Sequence, residues 1–426
     1  MWRLAWPMIL ANLTVPLLGA VDTAVVGHLP GPHFLGALAV GALIFNVIYW
    51  GFGFLRMGTT GFAAQAFGAG EAAELTGTLV RPLGLAALLA AVLLLLQAPI
   101  LSLALTLIGP GAEVGQLAGR YFEIRIWGAP AALANYVVLG FLLGVQRVRA
   151  ALVLQVVIHS VNIALDLLFV PVLGWGVPGV AAATLIAEWT GAGLGLPLAG
   201  RALTASTAAW AAILDLKRLG RLVVANRDIF VRTLCLQAAF AFFTAQGARL
   251  GVTILAANAV LLNFQSFLAY GLDGFAHAAE ALVGSAVGAR NRAALDGAVR
   301  ASTRWALMVG GGITVLFGAL GWLLIRVLTD VEDVRATALD YLVWVVLSPL
   351  VSVWSFQLDG IFIGAIRTAE MRNAMIASLA VFIAAALTLV PLLGNHGLWL
   401  AFLVFMAARA MTLGLRYPRL AAAVGP

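Results

Sequence analysis

The chain has 426 residues, 63% of them hydrophobic and only 10% charged, where a soluble domain carries about a quarter charged residues. Its 25 Lys+Arg and 18 Asp+Glu cannot coat a water-soluble globule of this size, and its single cysteine, Cys235, excludes a disulfide framework or a thiolate metal site. The net charge of +7 is scattered between apolar runs instead of gathered in a patch, so it reads as a topology signal and no nucleic-acid partner is expected.

Apolar stretches long enough for a bilayer recur near residues 4–27, 35–64, 76–105, 117–145, 150–171 and 178–200. A second series follows near 228–248, 252–288, 295–327, 336–366, 371–392 and 397–416. Together they predict an all-α polytopic membrane protein with twelve transmembrane helices. The first stretch is not a cleavable signal, because Pro7, Pro16 and Asp22 interrupt it and no small-residue cleavage site follows. Arg3, Arg147, Arg149, the basic stretch 217–227, Arg290, Arg292, Arg367 and Arg372 fall on one side, and loops 28–34, 171–179 and 393–397 opposite carry no Lys or Arg. That asymmetry places both termini in the cytoplasm.

Gly68, Gly77, Tyr121, Gly140, Gly144, Arg147, Pro171 and Gly174 recur as Gly288, Gly297, Tyr341, Gly360, Gly364, Arg367, Pro391 and Gly394, each 220 residues on. Earlier matches, Leu38-Ala39 with Leu255-Ala256 and Asn46 with Asn263, stand at 217, which implies about three inserted residues. Six crossings return the chain to its starting side, so the duplication predicts two pseudo-symmetric six-helix lobes of like orientation with a cleft between them. The expected organisation is an N-lobe over 1–200, a basic cytoplasmic linker over 201–227 and a C-lobe over 228–426.

An ionisable side chain deep in a span costs roughly 2.5–3.5 kcal/mol on insertion scales, so each one calls for a reason. Asp22 precedes His28 by six residues at the outer end of the first span, Asp166 precedes Pro171 by five in the fifth, and Thr184 follows Pro178 by six in the sixth. At 1.5 Å per residue all three lie about 8–9 Å below the outer rim. Asn162 is one turn from Asp166 on the same face. Asp22, Asn162, Asp166 and Thr184 therefore form a candidate cation-coupling site: two neighbouring acids titrate as a unit, which suits H+, and hard oxygen ligands suit Na+ equally. A purely architectural role is disfavoured because Asp22 and Asp166 map onto Phe242 and Ala386 in the repeat.

Asp273 and Glu280 share one face of the eighth span, and Asp359 lies in the tenth at the depth of Glu280. They are expected to form an acidic C-lobe cluster for a cationic substrate or a second ion, the alternative being pairing with nearby arginines. Arg56, taken as the repeat mate of Asp273 at 217, is expected to pair with it between the lobes in one conformation. His28 and His33 read as solvated loop residues, and His159 and His277 as hydrogen-bonded core residues. Walker A, Gly-x-Ser-x-Gly and His-Glu-x-x-His patterns are absent. The segment Asn162 to Asp166 only faintly resembles a prenyltransferase Mg2+ motif and has no second aspartate-rich partner. No enzyme, no cofactor and no resident metal are expected.

Twelve spans and a duplication also suit the major facilitator superfamily, but that family's basic Gly-x-x-x-Asp-Arg-x-Gly-Arg loop is replaced here by FGAGE at 67–71. Instead VDTAVVGHL (21–29), FLRMGTTG (54–61) and AQAFG (64–68) resemble the MATE (multidrug and toxic compound extrusion) family. LDGFA (272–276), AEALVG (279–284) and LDGIFIGA (358–365) resemble its DinF-type branch. The resemblance spans nearly the whole chain, with the motifs in order. It implies a MATE-type fold and an N-lobe cation site matching Asp22, Asn162 and Asp166, with Thr184 as the sixth-helix hydroxyl. Leu18 stands where some relatives have a tyrosine, so the preference for H+ or Na+ does not carry over. The expected function is antiport: an organic, cationic or amphipathic toxic compound leaves by alternating access in exchange for H+ (or Na+), with first-helix repacking at Pro16 as the conformational step. A monomer in membrane lipid is expected. The rival reading is a flippase for lipid-linked saccharides, which would want a more cationic cavity.

Overall fold

The computed structural model describes residues 1–203 and 215–424. Among them twelve helices are long and apolar enough to cross a membrane: α1 (Trp2–Gly27), α2 (Pro32–Ala69), α3 (Ala72–Leu95), α4 (Ala112–Gly144), α5 (Val148–Val172), α6 (Val177–Gly200), α7 (Leu216–Arg249), α8 (Val252–Gly288), α9 (Arg292–Leu328), α10 (Glu332–Gly364), α11 (Thr368–Leu393) and α12 (Asn395–Ala422). The chain is an all-α, multi-pass membrane protein.

Local chemistry explains where the helices stop. Between α4 and α5 the Arg147 N–H reaches Leu142 O at 2.8 Å while Gln146 takes φ 60°; between α10 and α11 Arg367 N–H reaches Phe362 O at 2.9 Å while Ile366 takes φ 53°. Both turns satisfy helix-end carbonyls through a left-handed residue, and the hydrogen bonds offset its strain. Gly31 and Gly251, Gly70 and Arg290, and Gly174 and Gly394 are also left-handed pairs, all 220 residues apart.

Packing corrects the repeat register. A Cβ at Gly140 would strike the Arg56 carbonyl, and one at Gly360 would strike that of Ala276; Gly144 meets Thr60 and Ala64 as Gly364 meets Glu280 and Gly284. Only a bare glycine lets these backbones approach so closely. The spacing is 220 throughout, so no insertion is needed, and the counterpart of Arg56 is Ala276, not Asp273. The matches at 217, one Leu-Ala pair and one asparagine, are coincidences.

The chain divides into two compact units, Leu10–Val223 and Met1–Ile9 with Val224–Pro426. In the first, Phe45 stacks on Phe122 with centroids 5.3 Å apart. In the second, Phe243, Trp399, Phe402 and Phe405 form an aromatic core. The first turns of α1 join this second unit because Trp2 stacks on Trp305 at 5.0 Å and Ile9 abuts Gly274. Of the expected linker, residues 204–214 lie outside the described residues, and Leu216 to Arg227 form the start of α7. Arg218 there is ion-paired to Glu74, which also accepts from Arg81 at 2.9 and 3.1 Å.

Candidate functional site

The α1 and α5 helices of the Leu10–Val223 unit bring the Asp22 and Asp166 carboxyl groups beside each other, and the Oδ1 of each is buried without a hydrogen-bond partner. Asn162 is one turn earlier on α5; with its amide assigned so that both neighbours are satisfied, its Nδ2 donates to Asp166 Oδ2 at 2.7 Å and its Oδ1 accepts from Thr184 Oγ1 and N at 3.0 Å each. Thr184 Oγ1 lies 3.0 Å from Val180 O on its own helix. Asp166 is fully buried and Asn162 nearly so. The four predicted residues thus form one connected polar group on three helices.

Two further features position this group. His159, on α5, meets Thr14 Oγ1 on α1 through Nδ1 at 2.6 Å, and Thr14 donates to Ala11 O at 2.7 Å. Thr14 has one proton to give, so Nδ1 carries the hydrogen in the bond from His159. Beyond Asp166 the helix widens into a π turn, Leu168–Val172, containing Pro171, whose missing N–H breaks the α ladder. The mate, Pro391, lies within continuous α11.

The same places in the second half are apolar. Asp22 and Asn162 map onto Phe242 and Phe382, whose rings meet edge-on at 5.7 Å, and Asp166 onto buried Ala386. The fold closes this position well with hydrocarbon, so it does not require the two acids.

The acidic C-lobe cluster needs correction at Asp359. Its Oδ2 accepts from Arg232 Nη2 and, at 2.6 Å, from Arg409 Nη2. One carboxylate between two guanidinium groups is a counter-ion inside a net positive triad, not a cation ligand. Asp273 lies within electrostatic reach of Arg409, and Glu280 is buried on α8. Arg56 belongs to the first unit and Asp273 to the second. His28 bonds through Nδ1 to Ala24 O at 2.6 Å, and His33 lies 3.6 Å from Glu113.

Sequence reasoning missed Arg232 and Arg409, and in the first unit Arg125 and Glu188. The spacing held a signal, since Glu188 follows Thr184 by one helical turn and Arg125 follows Tyr121 likewise. Arg125 Nη1 donates to Tyr121 Oη at 2.8 Å, and its guanidinium carbon sits 4.6 Å from the Phe45 ring centroid.

The MatE family model matches residues 7–168 and 229–389, one match to each half. DNA damage-inducible protein F of Escherichia coli (strain K12) is 45% identical over 98% of this chain and 92% of its own length. A probable multidrug resistance protein NorM of Rhizobium meliloti (strain 1021) is 26% identical over 97% and 91%. Among solved structures, a MOP superfamily transporter from Pyrococcus furiosus aligns with TM-score 0.90 at 20% identity, covering all of this chain and 96% of that one. An outward-facing multidrug resistance MATE transporter aligns with TM-score 0.89 at 20% identity over 99% and 95%. At that identity the likeness is one of fold.

Proposed function

The chain belongs to the MatE family of membrane transporters, and from that membership and the paired acids of its first unit we propose that it is a secondary antiporter of the inner membrane, with both termini cytoplasmic. It exports organic, cationic or amphipathic toxic compounds by alternating access in exchange for H+ or Na+. It works as a monomer in lipid and uses no cofactor besides the coupling ion. Multidrug resistance in the name of the NorM relative supports the substrate class.

The observation that carries this reading is the adjoining acids Asp22 and Asp166, present in one half and replaced by Phe242 and Ala386 in the other. An ion that fills the pair removes charge from an apolar bundle, and one that leaves restores it; the difference biases the packing of α1 against α5. Asn162 and Thr184 orient Asp166, and Pro16, which cannot donate a backbone hydrogen bond, marks where α1 yields most easily.

The test is transport of ethidium by reconstituted protein under an imposed pH or Na+ gradient. The unmodified chain moves ethidium with one or both gradients, and Asp22→Asn and Asp166→Asn each fall to background. Transport unaffected by either substitution refutes the site. Movement of a lipid-linked saccharide with no gradient-driven ethidium flux replaces antiport with the flippase reading.

A further inference from the structure

Glu188 lies in the middle of α6 and Arg125 at the end of the first straight part of α4, before the 3-10 turn Ile126–Gly128. Glu188 Oε2 is buried without a hydrogen-bond partner and packs against Gly128, where any side chain would collide with it. The backbone around it is fixed: Asn135 Nδ2 donates to Glu188 O at 2.9 Å, and Trp189 Nε1 donates to Trp127 O at 3.2 Å. Arg125 is held by Tyr121 Oη and lies over the rings of Phe45, Tyr49 and Tyr121 at 4.6, 5.9 and 5.7 Å.

The charge acting on Glu188 is Arg125, and Arg125 acts on Asp22 as well. The other titratable groups facing this region are Tyr49 of α2 and Tyr121 and Tyr136 of α4, with Asp166 of α5 beside Asp22. Arg56 of α2 acts on Tyr136.

A buried carboxylate kept for structure looks different in this same chain, where Asp359 accepts from two guanidinium groups. Glu188 Oε2 accepts nothing. The repeat mates of Arg125 and Glu188 are Val345, fully buried, and Ala408, so the architecture closes without either charge. Asp22, Asp166 and Glu188 are three acids in the interior of one apolar lobe, against Arg125 and Arg56, so the acids outnumber the cations.

We propose that Glu188 is a second proton-carrying site, with Arg125 the counter-charge that links its occupancy to that of the Asp22 and Asp166 pair. This rests on the antiport reading and deepens it: the lobe holds two exchangeable protons, one at the Asp22 and Asp166 pair and one on Glu188.

The experiment is infrared difference spectroscopy of the full-length protein in lipid nanodiscs, stepped between acidic and alkaline pH and read in the protonated-carboxyl region. The unmodified protein shows two buried-carboxyl components. Glu188→Gln loses one and keeps the other, and Asp22→Asn does the reverse. An unmodified spectrum with a single component overturns the proposal without reference to any variant, as does a Glu188→Gln spectrum identical to the unmodified one. If Asp22→Asn leaves both components and gradient-driven transport intact, the coupling pair is misassigned and this inference falls with it. Loss of the Asp22 component alone, with Glu188→Gln silent, removes only the second site. Glu188→Asp, which keeps the carboxyl, restores the second component.

Discussion

Asp359 receives two guanidinium hydrogen bonds through one oxygen, whereas Asp166 faces another acid. The two acids therefore respond oppositely to loss of charge. Asp359→Asn leaves Arg232 and Arg409, both more than nine-tenths buried, without their anion, and breaking a buried pair in this way costs roughly 3–5 kcal/mol. Asp22→Asn and Asp166→Asn remove a like-charge contact at positions that the second half fills with hydrocarbon. Thermal unfolding in detergent is expected to show a lower midpoint for Asp359→Asn and an unchanged or higher midpoint for the other two, although those two lose coupled transport. An equal fall for all three would mean that Asp22 and Asp166 hold the bundle together.

Helix α7 starts where the sequence suggested a linker, and its first turn shows why. Asp215 Oδ1 accepts from the Lys217 N–H at 2.8 Å, the N-cap arrangement that satisfies an otherwise unpaired helix donor. That bond, followed by the N–H and charge of Arg218, holds the Asp215 carboxyl below its usual value of 3.8. A depressed carboxyl contributes stability above its unfolded pKa, about 3.9, and loses that contribution as pH falls through the lower folded value. Asp215→Ala is therefore expected to speed hydrogen exchange at Lys217 and Arg218 at neutral pH, with the difference vanishing in acid below that range. A difference that persists in acid would assign the effect to something other than the carboxylate. The cap was legible in principle, since Asp precedes the helical run directly, but the four basic residues between 217 and 227 read more strongly as a solvated connector than as a helix.

At the scale of the whole chain, twelve spans and a duplication were legible because both rest on long-range regularity: apolar runs of bilayer length, and glycines at a fixed separation. That Asp22 and Asp166 lie at one depth was legible because distance below one rim can be counted along helices. What could not be counted was lateral packing. Depth does not say that Arg232 and Arg409 converge on Asp359, and short apolar matches cannot distinguish 217 from 220 until Gly140 and Gly360 are seen against their neighbours. The corrected register carries a prediction for sidedness. Six crossings separate a residue from its mate, so Gln146 and Ile366 must face one side of the membrane and Gly174 and Gly394 the other, and the arginines beside the first pair assign it to the cytoplasm. Because Cys235 is the only native thiol, single cysteines at these four positions in a Cys235→Ser background can be labelled one at a time with a membrane-impermeant maleimide. Intact spheroplasts are expected to label positions 174 and 394, and inverted vesicles positions 146 and 366. Mates that label from opposite sides would require an odd number of crossings per repeat, which is incompatible with two like-oriented six-helix halves.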